Sequence, residues 1–222
     1  MTRLLRVIVA AGAALLAMAA SAPAQMQGPL QGQYPNKPIT LIVPFGPGST
    51  TDTISRIIAQ HLGQALNQSI VIENKPGANG AIAAAYVARA APDGYTLLMS
   101  TNSPHSAAPS LNKSIAYDPV KDFEPVSRIG SFTLMLVLHP DVPATSIPEL
   151  IAYAKAHPGK LSFASGNASG VVAGETLKAW AGINLVHVPY RSTPQAVNDL
   201  LGGRVSMMFI DCLLYTSDAA DD

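Results

Sequence analysis

Apolar positions along this chain come in short blocks whose period keeps changing. Ile39 to Val43 is a continuous apolar run, the pattern of a parallel strand buried on both faces. Behind it, Ile54, Ile57, Ile58, His61, Leu62 and Leu66 are spaced by three and four, which predicts a helix over 54–66 with one buried stripe. The alternation continues with a strand at 70–72, an Ala-rich helix at 81–91, a strand at 95–99 and a short helix at 105–111. Residues 117–125 are irregular. A longer apolar run, 131–139, reads as a strand that carries the chain into a second half. That half keeps the same rhythm: helix 146–157, strand 161–164, helix 172–181, strand 185–188, helix 195–201 and strand 205–210. Helix 146–157 has the clearest start, with Ser146 as cap, Pro148 inside the first turn and Glu149 early.

Successive strand–turn–helix units predict parallel sheets with right-handed crossovers, and so an α/β fold class. In such sheets ligands sit outside the carboxyl ends of the strands. Five polar turns fall at those ends: 45–52, 74–80 and 100–104 in the first half, 165–170 and 189–194 in the second. The first is Phe45-Gly46-Pro47-Gly48-Ser49-Thr50-Thr51-Asp52. It opens the first helix, where unpaired amides and the helix dipole favour an anion. Thr50, Thr51 or Asp52 supplies the N-cap oxygen on this reading, and Asp52 caps the helix, orients a ligand, or does both. A carboxylate ligand is the expectation. The candidate binding residues are those eight, with Asn79 from the second turn and Ser100, Thr101 and Asn102 from the third. The second half adds Ser165, Gly166, Asn167, Ala168 and Ser169, then Tyr190 and Arg191, and finally Asp211 after the last strand.

Composition narrows the picture. The 222 residues carry 14 Lys+Arg and 14 Asp+Glu with no basic cluster, so nothing points to nucleic acid. Charged residues are sparse at 13%, which suits a compact, turn-punctuated protein and excludes a coiled coil. Arg3 and Arg6, the apolar run Val7 to Ala20, and Ala22-Pro23-Ala24 read as a secretory signal peptide over 1–24, followed by a polar leader over 25–33. The run is shorter than the ~20 apolar residues a membrane span needs, so a soluble exported product is expected. Residues 212–222 break from every preceding period and read as the translation of a sequencing adaptor, not native sequence. The chain's single Cys, Cys212, lies there, so no disulfide is expected.

Several stretches go further in combination. They are Tyr34-Pro35-x-Lys37-Pro38-Ile39, Val43-Pro44-Phe45 with the turn closing in Asp52, and Val71-Ile72-Glu73-Asn74-Lys75-Pro76-Gly77-Ala78-x-Gly80. Ala91-Pro92-Asp93-Gly94-Tyr95-Thr96-Leu97 and Tyr117-Asp118-Pro119-x-Lys121-Asp122-Phe123 follow. The second half contributes Gly174-Glu175, Val188-Pro189-Tyr190-Arg191 and Asp199-Leu200-Leu201-Gly202-Gly203. Together these resemble the solute receptors of tripartite tricarboxylate transporters, the periplasmic carboxylate-binding proteins of the Bug family. The resemblance covers about residues 34–211.

It implies a two-lobed, type 2 periplasmic-binding fold, each lobe a mostly parallel sheet flanked by helices. Lobe 1 would be 34–128 and lobe 2 would be 129–211, closing on the ligand. The implied ligand is a small organic acid, a di- or tricarboxylate or relative, held by backbone amides, hydroxyls and waters. No catalytic residue, cofactor or metal is implied. The implied partners are the membrane permease subunits, and the implied state is a periplasmic monomer. Two departures stand out. Gly46-Pro47-Gly48-Ser49-Thr50-Thr51 replaces a Gly-Gly pair before the Asp, and Val171 stands where many members have His. Members also continue past residue 211 and return to the first lobe, so the resemblance implies that lobe 1 is incomplete here.

Two rival classes remain at this stage. Gly46-x-Gly48 between a strand and a helix, with Glu73 ending the next strand, suggests a dinucleotide-binding enzyme, but the third glycine position is Thr51. A secreted hydrolase would draw on Ser165 or Ser169 with His187 and Asp199, although no G-x-S-x-G elbow is present. The five His residues show no metal-ligand spacing. His61 and His157 are expected on helix surfaces or near caps, and Trp180 and Tyr153 in packing.

Overall fold

The computed structural model describes residues 34–112 and 114–212. The expected signal peptide, the leader and residues 213–222 of the expected adaptor tail lie outside the described residues. Contacts divide the chain into two units, Met1–Asn36 and Lys37–Asp222. The elements below all belong to the second.

The first continuous apolar run forms β1 (Ile39–Val43), flanked by β2 (Ile70–Asn74) and β3 (Thr96–Leu98), both parallel to it. α1 (Thr50–Leu66) packs on β1 and β2, and α2 (Ala81–Ala88) on β1 and β3. β1 is the buried centre, which is why its apolar run is unbroken. The expected helix over 105–111 is instead a π turn, Ser103–Ala107, followed by the single turn α3 (Ala108–Leu111). Pro104 and Pro109 have no amide to give, so a regular ladder is not available there.

The second sheet has the order β4-β7-β5-β6, formed by β4 (Leu134–Leu138), β7 (Met207–Asp211), β5 (Ser162–Ser165) and β6 (Val186–Pro189). β5 is parallel to both neighbours, while β4 runs antiparallel to β7 with Leu134 opposite Asp211. The Cys212 amide extends this pairing by donating to the Thr133 carbonyl at 3.0 Å. α4 (Ile147–Ala156), α5 (Ala168–Ala181) and α6 (Thr193–Leu201) cover the sheet. The strand period of two sorts its core. Phe163 and Met207 pack with Leu150, Ala154 and Leu185 on one face. Ala164 and Met208 pack with Ala196 and Leu200 on the other.

The sheets, the parallel pairings and the capped start of α4 at Ser146 agree with the sequence reading. Several details differ. α1 starts at Thr50, four residues early, and its N-cap is Ser49, not Thr50, Thr51 or Asp52. Ser49 is extended, and its hydroxyl accepts the Asp52 amide at 3.3 Å. α5 starts at Ala168 with Asn167 as cap, and α6 at Thr193. The run 131–139 narrows to 134–138, the five residues paired with Met207–Asp211 of β7. Tyr153 packs against the core as expected, and His61 and His157 are exposed. Trp180, expected in packing, is 76% exposed, because α5 turns Ala168, Gly170 and Gly174 inward instead.

Candidate functional site

Buried polar side chains are unevenly placed. The described ones are Ser49, Thr50, Asp52, Ser55, Ser103, Ser165, Ser192, Thr193 and Asp211. All but Ser55 lie in the turns at the carboxyl ends of strands or at the helix starts those turns feed. Burying hydroxyls and acids is costly unless they find partners, so such a cluster marks a place where polar groups are needed.

The first turn is braced from below. Gly48 has φ +78, a conformation a side chain resists. Its amide donates to Asp52 Oδ2 at 3.0 Å. Arg56, one helical turn on, donates from Nε to Oδ2 at 2.9 Å and from Nη2 to Oδ1 at 3.0 Å. Asn74 Nδ2, at the end of β2, donates to Oδ1 at 2.8 Å and also to the Phe45 carbonyl at 2.8 Å. Burial pushes the Asp52 carboxyl up, but the donors Arg56, Asn74 and Gly48 outweigh it and hold it below the usual carboxylate range. Asp52 therefore braces the turn, its charge answered by Arg56.

Two turns of the second sheet close on this one. The Gly46 amide donates to Ser192 Oγ at 3.0 Å. Ser192 is the N-cap of α6, yet its side chain makes no cap bond in its own helix. Its oxygen is diverted to Gly46. Gly166 sits flush against the same helix start: a Cβ there would come within 2.3 Å of the Thr193 amide nitrogen. Further along, the Asn102 amide group and the Ser169 hydroxyl exchange hydrogen bonds at 3.0 and 3.2 Å. The Ala168 amide, first of α5, donates to Ser103 Oγ at 3.3 Å.

The starts of α1, α5 and α6 thus converge on one place, each with the positive end of its dipole inward. Asn167 Oδ1 caps the Gly170 amide at 2.9 Å. Among the described residues, no acceptor meets the amides of Thr50, Thr51, Ser169 or Gln195. Arg191, beside α6, is exposed and forms no ion pair among the described residues. Such an array can hold a carboxylate without a buried cation.

The other candidates are distributed as follows. Thr101 Oγ1 accepts the Ser103 amide at 3.2 Å, and Ser100 Oγ meets His105 Nδ1. Asn79 is left-handed (φ 54) in a 3-10 turn before α2. Tyr190 hydroxyl donates to Asp199 Oδ2 at 2.7 Å and so is committed to α6. Asp211 and Thr50 are both buried, and Thr50 Oγ1 and Asp211 Oδ1 have no hydrogen-bond partner. Asn74, Arg56, Ser103 and Ser192 were not singled out from the sequence. Ser192-Thr193-Pro194 did carry a signal, an N-cap hydroxyl ahead of a first-turn proline.

The rival triad is only partly assembled. Ser165 Oγ lies 2.7 Å from His187 Nε2, and His187 stacks on Phe163 at 4.6 Å. Burial lowers the His187 pKa, favouring the neutral ring. Asp199, however, is held by Tyr190 and by Arg204 at 2.7 Å. Glu73, the proposed ribose acid, pairs with Lys75.

Comparison with known proteins identifies the family. A family profile described as "Tripartite tricarboxylate transporter family receptor" matches residues 54–219. The chain belongs to this receptor family. BugT of Bordetella pertussis is 41% identical over 212 residues, which is 93% of this chain and 62% of that protein. A solved structure described as R. palustris Rpa4515 with adipate is 35% identical, with a TM-score of 0.78 over 80% of this chain and 60% of that one. MatC from Rhodopseudomonas palustris, with bound malate, is 31% identical, with a TM-score of 0.79 over 85% of this chain and 65% of its own. The architecture is therefore the α/β fold of periplasmic binding proteins. The chain spans about three-fifths of the length of these receptor-family relatives.

Proposed function

We propose that this protein is an extracytoplasmic receptor for a small carboxylate, and that it passes its ligand to the membrane subunits of a tripartite tricarboxylate transporter. One observation carries the reading: the buried polar side chains gather where three helix N-termini meet, with amides left unpaired beside them. A carboxylate supplies the acceptors these amides lack. Adipate and malate in related structures fit the same ligand class. The binding residues on this reading are the 45–52 turn, Asn79, Ser100 to Asn102, Ser165 to Ser169, Tyr190, Arg191 and Asp211, with Ser192 added. The lobes are 34–128 and 129–211, the protein works in the periplasm as a monomer, and it binds without catalysis.

The test is native mass spectrometry of the full-length protein followed by thermal-shift titration with di- and tricarboxylates. A co-purifying, chemically unchanged organic acid that raises Tm is expected. Absence of any stabilising acid sinks the reading.

A second reading rests on the Ser165–His187 contact, which has the geometry of a nucleophile and its base. It predicts hydrolysis of an activated ester that disappears in Ser165→Ala. The receptor reading predicts no turnover in either protein.

A further inference from the structure

Two buried aspartates stand at the site, and they are treated differently. Asp52, 2% exposed, receives hydrogen bonds from Gly48, Arg56 and Asn74. Asp211, 5% exposed, forms no ion pair among the described residues, and its Oδ1 has no donor. Its neighbour is Thr50, 2% exposed, whose hydroxyl lies beside the Asp211 carboxyl without completing a regular hydrogen bond. Burial raises the Asp211 pKa, and the nearby Thr50 hydroxyl opposes the rise. Asp211 ends β7, one of the two inner strands of the second sheet. Thr50 is the first residue of α1, beside the free amides. A buried acceptor that no regular hydrogen bond satisfies at Oδ1, with a hydroxyl beside it, therefore flanks the carboxylate-binding amides, one group from each sheet. A second ligand carboxylate would meet Asp211 with like charge. A ligand hydroxyl or ammonium would meet it with a donor.

We propose that Asp211 and Thr50 form a subsite for a hydrogen-bond donor on the ligand, so that the receptor prefers a hydroxy- or amino-substituted acid to the same acid without that group. This rests on the carboxylate-receptor reading and sharpens it. A site built to pair with a hydroxyl rejects the analogue lacking it, because the buried group is then left bare.

The experiment is calorimetric titration of the full-length protein with malate, aspartate and succinate, three acids of one carbon skeleton. Malate or aspartate is expected to bind about 10- to 100-fold more tightly than succinate, and whichever wins identifies the donor. Asp211→Asn should lower the ratio toward one, because it removes the charge that favours a donor and turns one of the two acceptor oxygens into a donor. Thr50→Val, which keeps the helix start, should lower the ratio more modestly. Equal affinity for all three acids overturns the subsite, as does an unchanged ratio in Asp211→Asn. If Asp211→Asn does not fold, the wild-type ratio and Thr50→Val decide. A loss of stability in Asp211→Asn with the ratio intact shows that the pair only ties the sheets together, which also overturns the proposal. Binding of none of the acids removes the carboxylate reading itself, and this subsite with it.

Discussion

Gly166→Ala is a small change with a calculable consequence at the centre of the site. A Cβ at 166 would lie 2.3 Å from the Thr193 nitrogen, 2.5 Å from its Cα and 2.7 Å from the Ser192 carbonyl carbon. All three are backbone atoms, so no side chain can swing away. Restoring ordinary contact requires the start of α6 and the β5–α5 turn to part by roughly 1 Å. Overpacking of this kind costs about 1–3 kcal/mol. For a chain of this size that is a fall in Tm of roughly 2–12 °C. The same displacement stretches the Gly46–Ser192 hydrogen bond, now 3.0 Å, and moves the α6 amides away from those of α1. Losing one charge-assisted contact to a bound carboxylate weakens affinity by about 10- to 150-fold. The assay is differential scanning fluorimetry with and without the co-purified acid, plus titration calorimetry. Gly130→Ala is the control, since a Cβ there meets nothing within 4 Å. If Gly166→Ala matches wild type in Tm and binds within threefold, the tight apposition of these turns is not what shapes the site.

Two further outcomes follow from the same geometry. Asp52→Asn removes a carboxylate that four hydrogen bonds hold below its usual pKa, and with Arg56 half exposed should destabilise by about 1–2 kcal/mol. Because the folded pKa is depressed, the stability Asp52 contributes is present above the unfolded value near 3.9 and is lost as pH falls through the lower folded value. Urea melts between pH 3 and 7 should therefore show a shallower acid decline in the variant. An identical decline would refute the role. Gly174→Ala pushes a Cβ to within 2.1 Å of the buried Phe163 ring and should cost about 3 kcal/mol by urea denaturation. Phe163→Leu in the same chain should recover part of that loss, and no recovery would place the cost elsewhere.

Sequence pattern reached the strands and the clearly signed helix starts. Ile39 to Val43 gave its strand to the residue, because a run buried on both faces has no ambiguity of period. Ser146-x-x-Glu149 with Pro148 located α4, since cap, proline and acid agree. The starts of α1 and α5 were hidden by their own function. Gly48 to Thr51 offers three hydroxyls in a row, and apolar periodicity begins only at Ile54. Ala168-Ser169-Gly170 turns inward with almost no side chain, so no apolar period marks it. Contacts between distant turns leave no local signature. Ser192 serving Gly46, 146 residues away, is a property of the assembled sheets. Asp52 illustrates the same limit from the other direction: its place in the turn was legible, but its commitment to Arg56 and Asn74 was not.

The antiparallel seam in the second sheet also fixes what its neighbours can do. β4 and β7 pair over five residues, with Leu134 opposite Asp211 and Leu138 opposite Met207. Sliding one strand along the other would break every rung of that ladder at once, and a one-residue slip would turn each side chain to the opposite face. The seam therefore acts as a register lock, and it holds Asp211 at the carboxyl end of β7.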